Sequence, residues 1–152
     1  MKKALSFLLA VLFLASLSSC GKRPGGSATA LLGEFLAEGA PPPAGAVYAS
    51  VSVPGGEHRP LSEALVAALY ARADGTCEYA AAVEEAAVYL SHRADAPFEA
   101  AVFLCYGSAD TEAVAAMCLR RVRLLMQSGR ADAAGALIEC RGRAVYFLIR
   151  GK

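Results

Sequence analysis

Tryptophan is absent from the chain and histidine occurs only at His58 and His92, far apart in the sequence. Two distant imidazoles make a poor metal pair, and no C-x-x-C or Cys/His ligand spacing is present, so zinc and thioredoxin-like chemistry are not expected. Serine-nucleophile motifs of the G-x-S-x-G kind are missing, as are glycine loops that cradle phosphate. Charge of one sign is also lacking: the formal net charge is +1 over 152 residues, which leaves no bulk electrostatic case for nucleic acid as a partner. A long hydrophobic run is lacking too. The apolar stretch from Ala4 to Leu17 falls short of the roughly 20 residues a bilayer-spanning helix needs, so a retained span is not expected.

What the N-terminus does contain is ordered. Lys2 and Lys3 supply a positive start, the apolar run follows, and the run closes on Leu17-Ser18-Ser19-Cys20. A basic start followed by a short apolar core is the pattern of an export signal. Its closing tetrad resembles the lipobox of bacterial lipoproteins at every position. The resemblance implies that residues 1–19 are a signal peptide and that the Cys20 sulfur carries diacylglycerol after cleavage. It further implies an extracytoplasmic protein whose membrane partner is reached through that lipid. One acyl chain holds a protein only marginally, whereas two palmitate-sized chains, at ~0.8 kcal/mol per buried CH₂, anchor it stably. Gly21 to Thr29, rich in Gly, Pro and Ser, has the composition of a flexible linker, so residues 20–29 are expected to be a lipidated tether. Lys22 and Arg23 sit where anionic headgroups would favour them weakly.

Residues 30–152 suit one domain. Ala, Val and Leu are abundant enough to bury a core without help from disulfides. Cys77, Cys105, Cys118 and Cys140 would permit two disulfides. The apolar settings of the last three instead predict buried free thiols that behave as small hydrophobes.

Ala30 to Glu38 has helical spacing and is stopped by Pro41-Pro42-Pro43. Val47 to Val53 alternates, with Val47, Ala49, Val51 and Val53 on one side, as a half-buried strand does. Leu61 to Ala71 reads as a helix started by Ser62 or Pro60, its stripe Leu61, Leu65, Ala68 and Leu69. Glu78 to His92 is ambiguous between helix and strand; its C-terminal part favours a strand. Phe98 to Tyr106 is the clearest strand, apolar on both faces after Glu99. Thr111 to Gln127 forms a helix capped by Ser108 or Asp110, with Val114, Met117, Cys118, Val122 and Leu125 as its buried stripe. Ala136 to Cys140 and Arg143 to Ile149 are expected as a hairpin about Arg141-Gly142, its second strand covered on both faces. The predicted class is α+β: a mostly antiparallel sheet with helices packed on it.

Glu99…Val102-Phe103, the helix with Val114, Cys118 and Arg121, and Gly142-x-x-Val145-Tyr146-Phe147 together resemble a family of small uncharacterised bacterial lipoproteins with a C-terminal domain of unknown function. The match covers roughly Leu61 to Ile149 and favours a strand around Val83 to Leu90. It implies fold and location and brings no activity.

Catalysis needs convergent polar groups, and few are on offer. His58 and His92 read as solvated side chains in polar loops, and Glu84-Glu85 as a solvated face, with pairing to arginines as the alternative. Arg120, Arg121 and Arg123 form the one local basic cluster, two of them directed outward and Arg121 placed to pair with Glu99. No cofactor and no metal are expected. The expected function is that of a membrane-anchored, non-catalytic interaction or binding module of the cell envelope, with an envelope protein as partner. The alternative is an envelope enzyme or thiol redox protein using Cys105 or Cys140. A small ligand between helix and sheet stays open.

Overall fold

A computed structural model describes residues 25–52, 55–95 and 97–151; Leu17, Ser18, Ser19 and Cys20 lie outside them. The order is α1 (Ala28–Ala37), β1 (Gly45–Ala49), β2 (Arg59–Pro60), α2 (Glu63–Tyr70), α3 (Tyr79–Ala82), β3 (Val83–Ser91), β4 (Phe98–Cys105), a 3₁₀ turn (Ser108–Asp110), α4 (Thr111–Gln127), β5 (Ala131–Arg141) and β6 (Ala144–Gly151). Six strands form one sheet in the order β2-β1-β3-β4-β6-β5. Only β1 and β2 run parallel; the other neighbours are antiparallel. The fold is α+β, as expected.

Period-two alternation along β4 divides the core. Phe98, Ala100, Val102 and Leu104 face α1, together with Leu31, Leu32 and Phe35 from that helix. Ala101, Phe103 and Cys105 face the opposite way, into a larger core closed by α2 and α4. Both neighbours of β4 are long, so every residue of the strand is buried.

Local chemistry explains the element ends. Ser27 caps α1 by accepting from the Ala30 amide at 3.2 Å, so the helix starts at Ala28 rather than Ala30. The Glu85 carboxylate accepts the Ala28 amide at 2.8 Å. That places a negative charge at the positive end of α1 and ties the helix to β3. Glu85 is therefore no solvated face, and Glu84 is ion-paired to Arg143. Ser62 caps α2 by accepting from the Leu65 amide. The buried stripe of α2 is Val66, Leu69 and Tyr70, with Ala68 exposed; alanine's small side chain gives little reason to turn inward when a tyrosine competes for the core.

At β1 the alternation stops early. The Ala86 amide donates to the Ser50 hydroxyl at 2.8 Å, a side chain taking the place of a ladder carbonyl, and the chain leaves the sheet. Val51 is 49% exposed as a result. Gly45 is required where it stands: a Cβ there would collide with the Leu90 carbonyl and the Tyr89 ring. The ambiguous stretch resolves into one turn of helix, α3, followed by β3. Strand pairing on both sides outweighs the helix preference of its alanines and glutamates. The last hairpin turns on Gly142-Arg143, because Arg141 pairs with Ala144. Gly142 has φ +61°, the first central position where such a turn needs glycine. α4 matches its expected bounds and buried stripe.

Candidate functional site

Odd-numbered β4 residues face α4, and this puts the Glu99 carboxylate inside the larger core, 1% exposed. It is not alone there. The Tyr70 hydroxyl, from the end of α2, donates to Glu99 Oε1 at 2.7 Å. Arg121 Nε, from the middle of α4, donates to Glu99 Oε2 at 3.0 Å. Three elements thus converge on one carboxylate, and both of its oxygens are occupied. Burial, followed by the Glu99 charge, pushes the Tyr70 hydroxyl well above its ordinary range, so it serves as a proton-bearing donor. Cys118 is pushed well up for the same two reasons.

A second carboxylate closes the outside of this cluster. Glu78, just before α3, accepts from Arg120 Nη1 at 2.9 Å and is also bonded to Arg72. The Arg120 hydrogen bond, against some desolvation, draws its carboxyl down to about 2. The sign follows directly. On acidification the unfolded chain takes up this proton first, so the contribution is complete above the ordinary carboxylate range and is lost as pH falls toward 2. Glu78 borders solvent, so the contribution should be on the order of 1 kcal/mol. Urea midpoints measured from neutral pH down into the acid range should fall less steeply for Glu78→Gln than for the wild type; parallel acid limbs would reject the assignment.

These pairs correct the expected basic patch. Arg120 and Arg121 are turned inward, with side-chain exposures of 26% and 14%, and of the three only Arg123 is exposed. The pairing of Arg121 with Glu99 holds. Tyr70 and Glu78 were not among the candidate residues. Tyr70 directly follows Leu69, and an aromatic at the end of a helix stripe was the available signal. Nothing local marked Glu78.

All four described cysteines are free. Cys105 and Cys118 are buried as expected, Cys77 is half-buried, and Cys140 is exposed, because β5 is an edge strand whose outer side lacks cover. Burial raises the Cys105 thiol to about 11, and partial desolvation also raises Cys140. Thiolate, the reactive form, is therefore scarce at neutral pH at both positions. His58 is half-buried, its Nδ1 without a hydrogen-bond partner among the described residues, and His92 is exposed. No cluster of His, Cys, Asp or Glu able to hold a metal occurs among the described residues, and none of their helices is long and apolar enough to cross a membrane.

One open feature among the described residues is a groove where the end of α1 meets the sheet. Phe35, Leu36, Phe98, Leu137 and Leu148 form apolar walls around about 220 Å³, with Glu38 and Arg150 as its charged rim. A hollow of about 270 Å³ adjoins it past Ala40, Phe98 and Arg150, walled by Pro41, Pro43 and Pro97. The Arg150 guanidinium lies over Gly39, beside the C-terminal end of α1, where helix carbonyls favour a cation. Such a groove can shelter an apolar group, with Glu38 and Arg150 as the charged groups beside it. No family model, curated protein or solved structure matches the chain.

Proposed function

We propose that this protein is a membrane-anchored extracytoplasmic lipoprotein, held by lipid on Cys20, that acts as a non-catalytic interaction or binding module of the cell envelope. The observation that carries the reading is Leu17-Ser18-Ser19-Cys20 behind a short apolar run, a few residues ahead of Ser27, which caps α1. The family of small lipoproteins with a C-terminal domain of unknown function that the sequence resembles belongs to the same proposal. The interior supports the non-catalytic half. Its carboxylates are engaged: Glu99 with Tyr70 and Arg121, and Glu78 with Arg120. The groove at the end of α1 offers mainly apolar cover, with Glu38 and Arg150 at its rim.

An envelope enzyme or thiol redox protein using Cys105 or Cys140 has less in its favour, because both thiols are shifted away from the reactive form. The test is intact mass and fractionation of the chain expressed in a bacterium. The expected product sits in the membrane fraction, begins at Cys20 and carries the mass of a diacylglyceryl group, whereas Cys20→Ala is neither cut nor lipidated. An unmodified wild-type chain in the soluble fraction would overturn the reading.

A further inference from the structure

Three apolar side chains near the end of α1 are left partly open to water. Leu36 and Leu148 are half-buried, and Leu137 is 43% exposed. All three line one groove, together with the buried rings of Phe35 and Phe98. An apolar occupant would take these surfaces out of water, which is favourable. The groove adjoins the proline-walled hollow, and both are lined by Phe98 and Arg150. At about 220 Å³ and about 270 Å³, neither alone reaches the roughly 300–1,000 Å³ of small-molecule sites. Side by side they are on that scale.

The two hollows differ in charge, and the difference gives an occupant its direction. The groove has Glu38 and Arg150 on its rim, and Glu38 lies 3.8 Å from Arg141, a cation outside the groove. In the hollow the charged lining residues are Arg93 and Arg150, with no acid among them. Arg93 is held by Asp95. Arg150 has no ion-pair partner among the described residues. The carbonyls at the end of α1 favour its charge without cancelling it. Backbone donors are scarce here. Pro41, Pro43 and Pro97 have no amide hydrogen, the Gly151 amide donates to the Pro97 carbonyl, and the Phe98 amide donates to the Ser91 hydroxyl. A peptide laid in this place would bury its own amides without partners, at a cost. A hydrocarbon chain has none to bury, and a carboxylate at its end matches the fork of a guanidinium.

We propose that the groove and the hollow bind a single acyl chain ending in a carboxylate, the chain against Phe35, Leu137 and Leu148 and the carboxylate on Arg150. This names a ligand class for the binding module proposed above and rests on that half of the reading. It does not depend on lipid at Cys20.

The experiment uses the full chain in nanodiscs of zwitterionic lipid, so that no detergent competes. Its probe is decanoate carrying a diazirine at the far end of the chain. The light-induced label, mapped by mass spectrometry, should saturate and fall on the walls of the groove. Unlabelled decanoate should displace it, and decanol at matched free concentration should do so about tenfold less well, for want of a charge-assisted hydrogen bond. Arg150→Gln should raise the half-saturating concentration about tenfold for the same reason. Leu137→Asp, which sets a charge in the apolar wall, should raise it by a similar factor, about tenfold. Both replaced residues are exposed, so urea midpoints should stay near the wild-type value. Intact mass of the same sample reads the anchor separately. A chain without lipid that takes the label keeps this proposal and rejects the anchor; a lipidated chain that takes none does the reverse. The absence of saturable label would overturn the proposal, including the case in which another part of the chain already fills the groove. So would label scattered outside the groove, displacement by decanol equal to that by decanoate, or a half-saturation unmoved by Arg150→Gln and Leu137→Asp.

Discussion

Replacing Glu99 by leucine should cost about 3–5 kcal/mol of folding stability, the range for breaking a buried ion pair from one side. The cause is what remains. Arg121 would keep its charge at a site where its side chain is 14% exposed, and the fully buried Tyr70 hydroxyl would lose its acceptor. An orphaned buried polar group adds roughly 1–3 kcal/mol, and domains hold only about 5–15 kcal/mol in total. Tyr70→Phe alone removes one hydrogen bond and leaves the pair, so it should cost less, about 1.5–3 kcal/mol. Exchanging all three residues for apolar ones of similar volume, as in Glu99→Leu, Arg121→Leu, Tyr70→Phe, should return stability to within about 2 kcal/mol of the wild type, because no unpartnered charge remains. Urea unfolding followed by linear extrapolation reads each difference. A cost for Glu99→Leu below about 1 kcal/mol would show that Glu99 is not a buried charge in the folded protein. A triple variant as unstable as the single one would place the loss in packing, outside the ion pair.

The Glu99–Arg121 half of this cluster was legible in the sequence, and the reason is periodicity. Glu99 interrupts a strand that is otherwise apolar on both faces, so burial of its side chain follows from the strand itself. Arg121 sits beside a five-residue stripe at helical spacing, so its direction follows from the helix. Tyr70 was not legible, because α2 is rich in alanine. A stripe drawn through Ala68 and one drawn through Tyr70 fit the same sequence, and only the larger core decides between them. Glu78 lies in a loop and acquires its meaning from Arg120, far away along the chain. The same limit applies to Glu84 and Glu85, for which an arginine partner was open in the sequence but neither Arg143 nor the start of α1 could be singled out. Local pattern therefore sufficed for elements that carry their own period. Partners chosen across the sheet were out of its reach, and so was the exposure of Cys140, which depends on β5 having no outer neighbour.

Truncating Phe103 to alanine should cost about 3–5 kcal/mol, toward the upper end for large-to-small changes in a core. Phe103 is 0% exposed, and its neighbours make the site hard to collapse. Across the sheet it pairs with Ala86 and Val145, and the next residue on its own face is Ala101, so small side chains surround one large ring. Above it, Tyr70 and Tyr79 meet the ring edge-on, with centroids at 5.5 Å and 6.4 Å. Tyr70 also holds Glu99, so a shift of its ring into the space left by Phe103 would loosen the hydrogen bond on which the ion pair depends. The two losses should therefore couple. Phe103→Ala together with Glu99→Leu should cost less than the two single changes added, by at least about 0.5 kcal/mol. Phe103→Leu, which keeps most of the volume, should cost clearly less than the alanine change. A Phe103→Ala cost under about 1.5 kcal/mol would mean that the core on this face is loosely packed. Strict additivity with Glu99→Leu would mean that Tyr70 does not transmit between the aromatic cluster and the buried carboxylate.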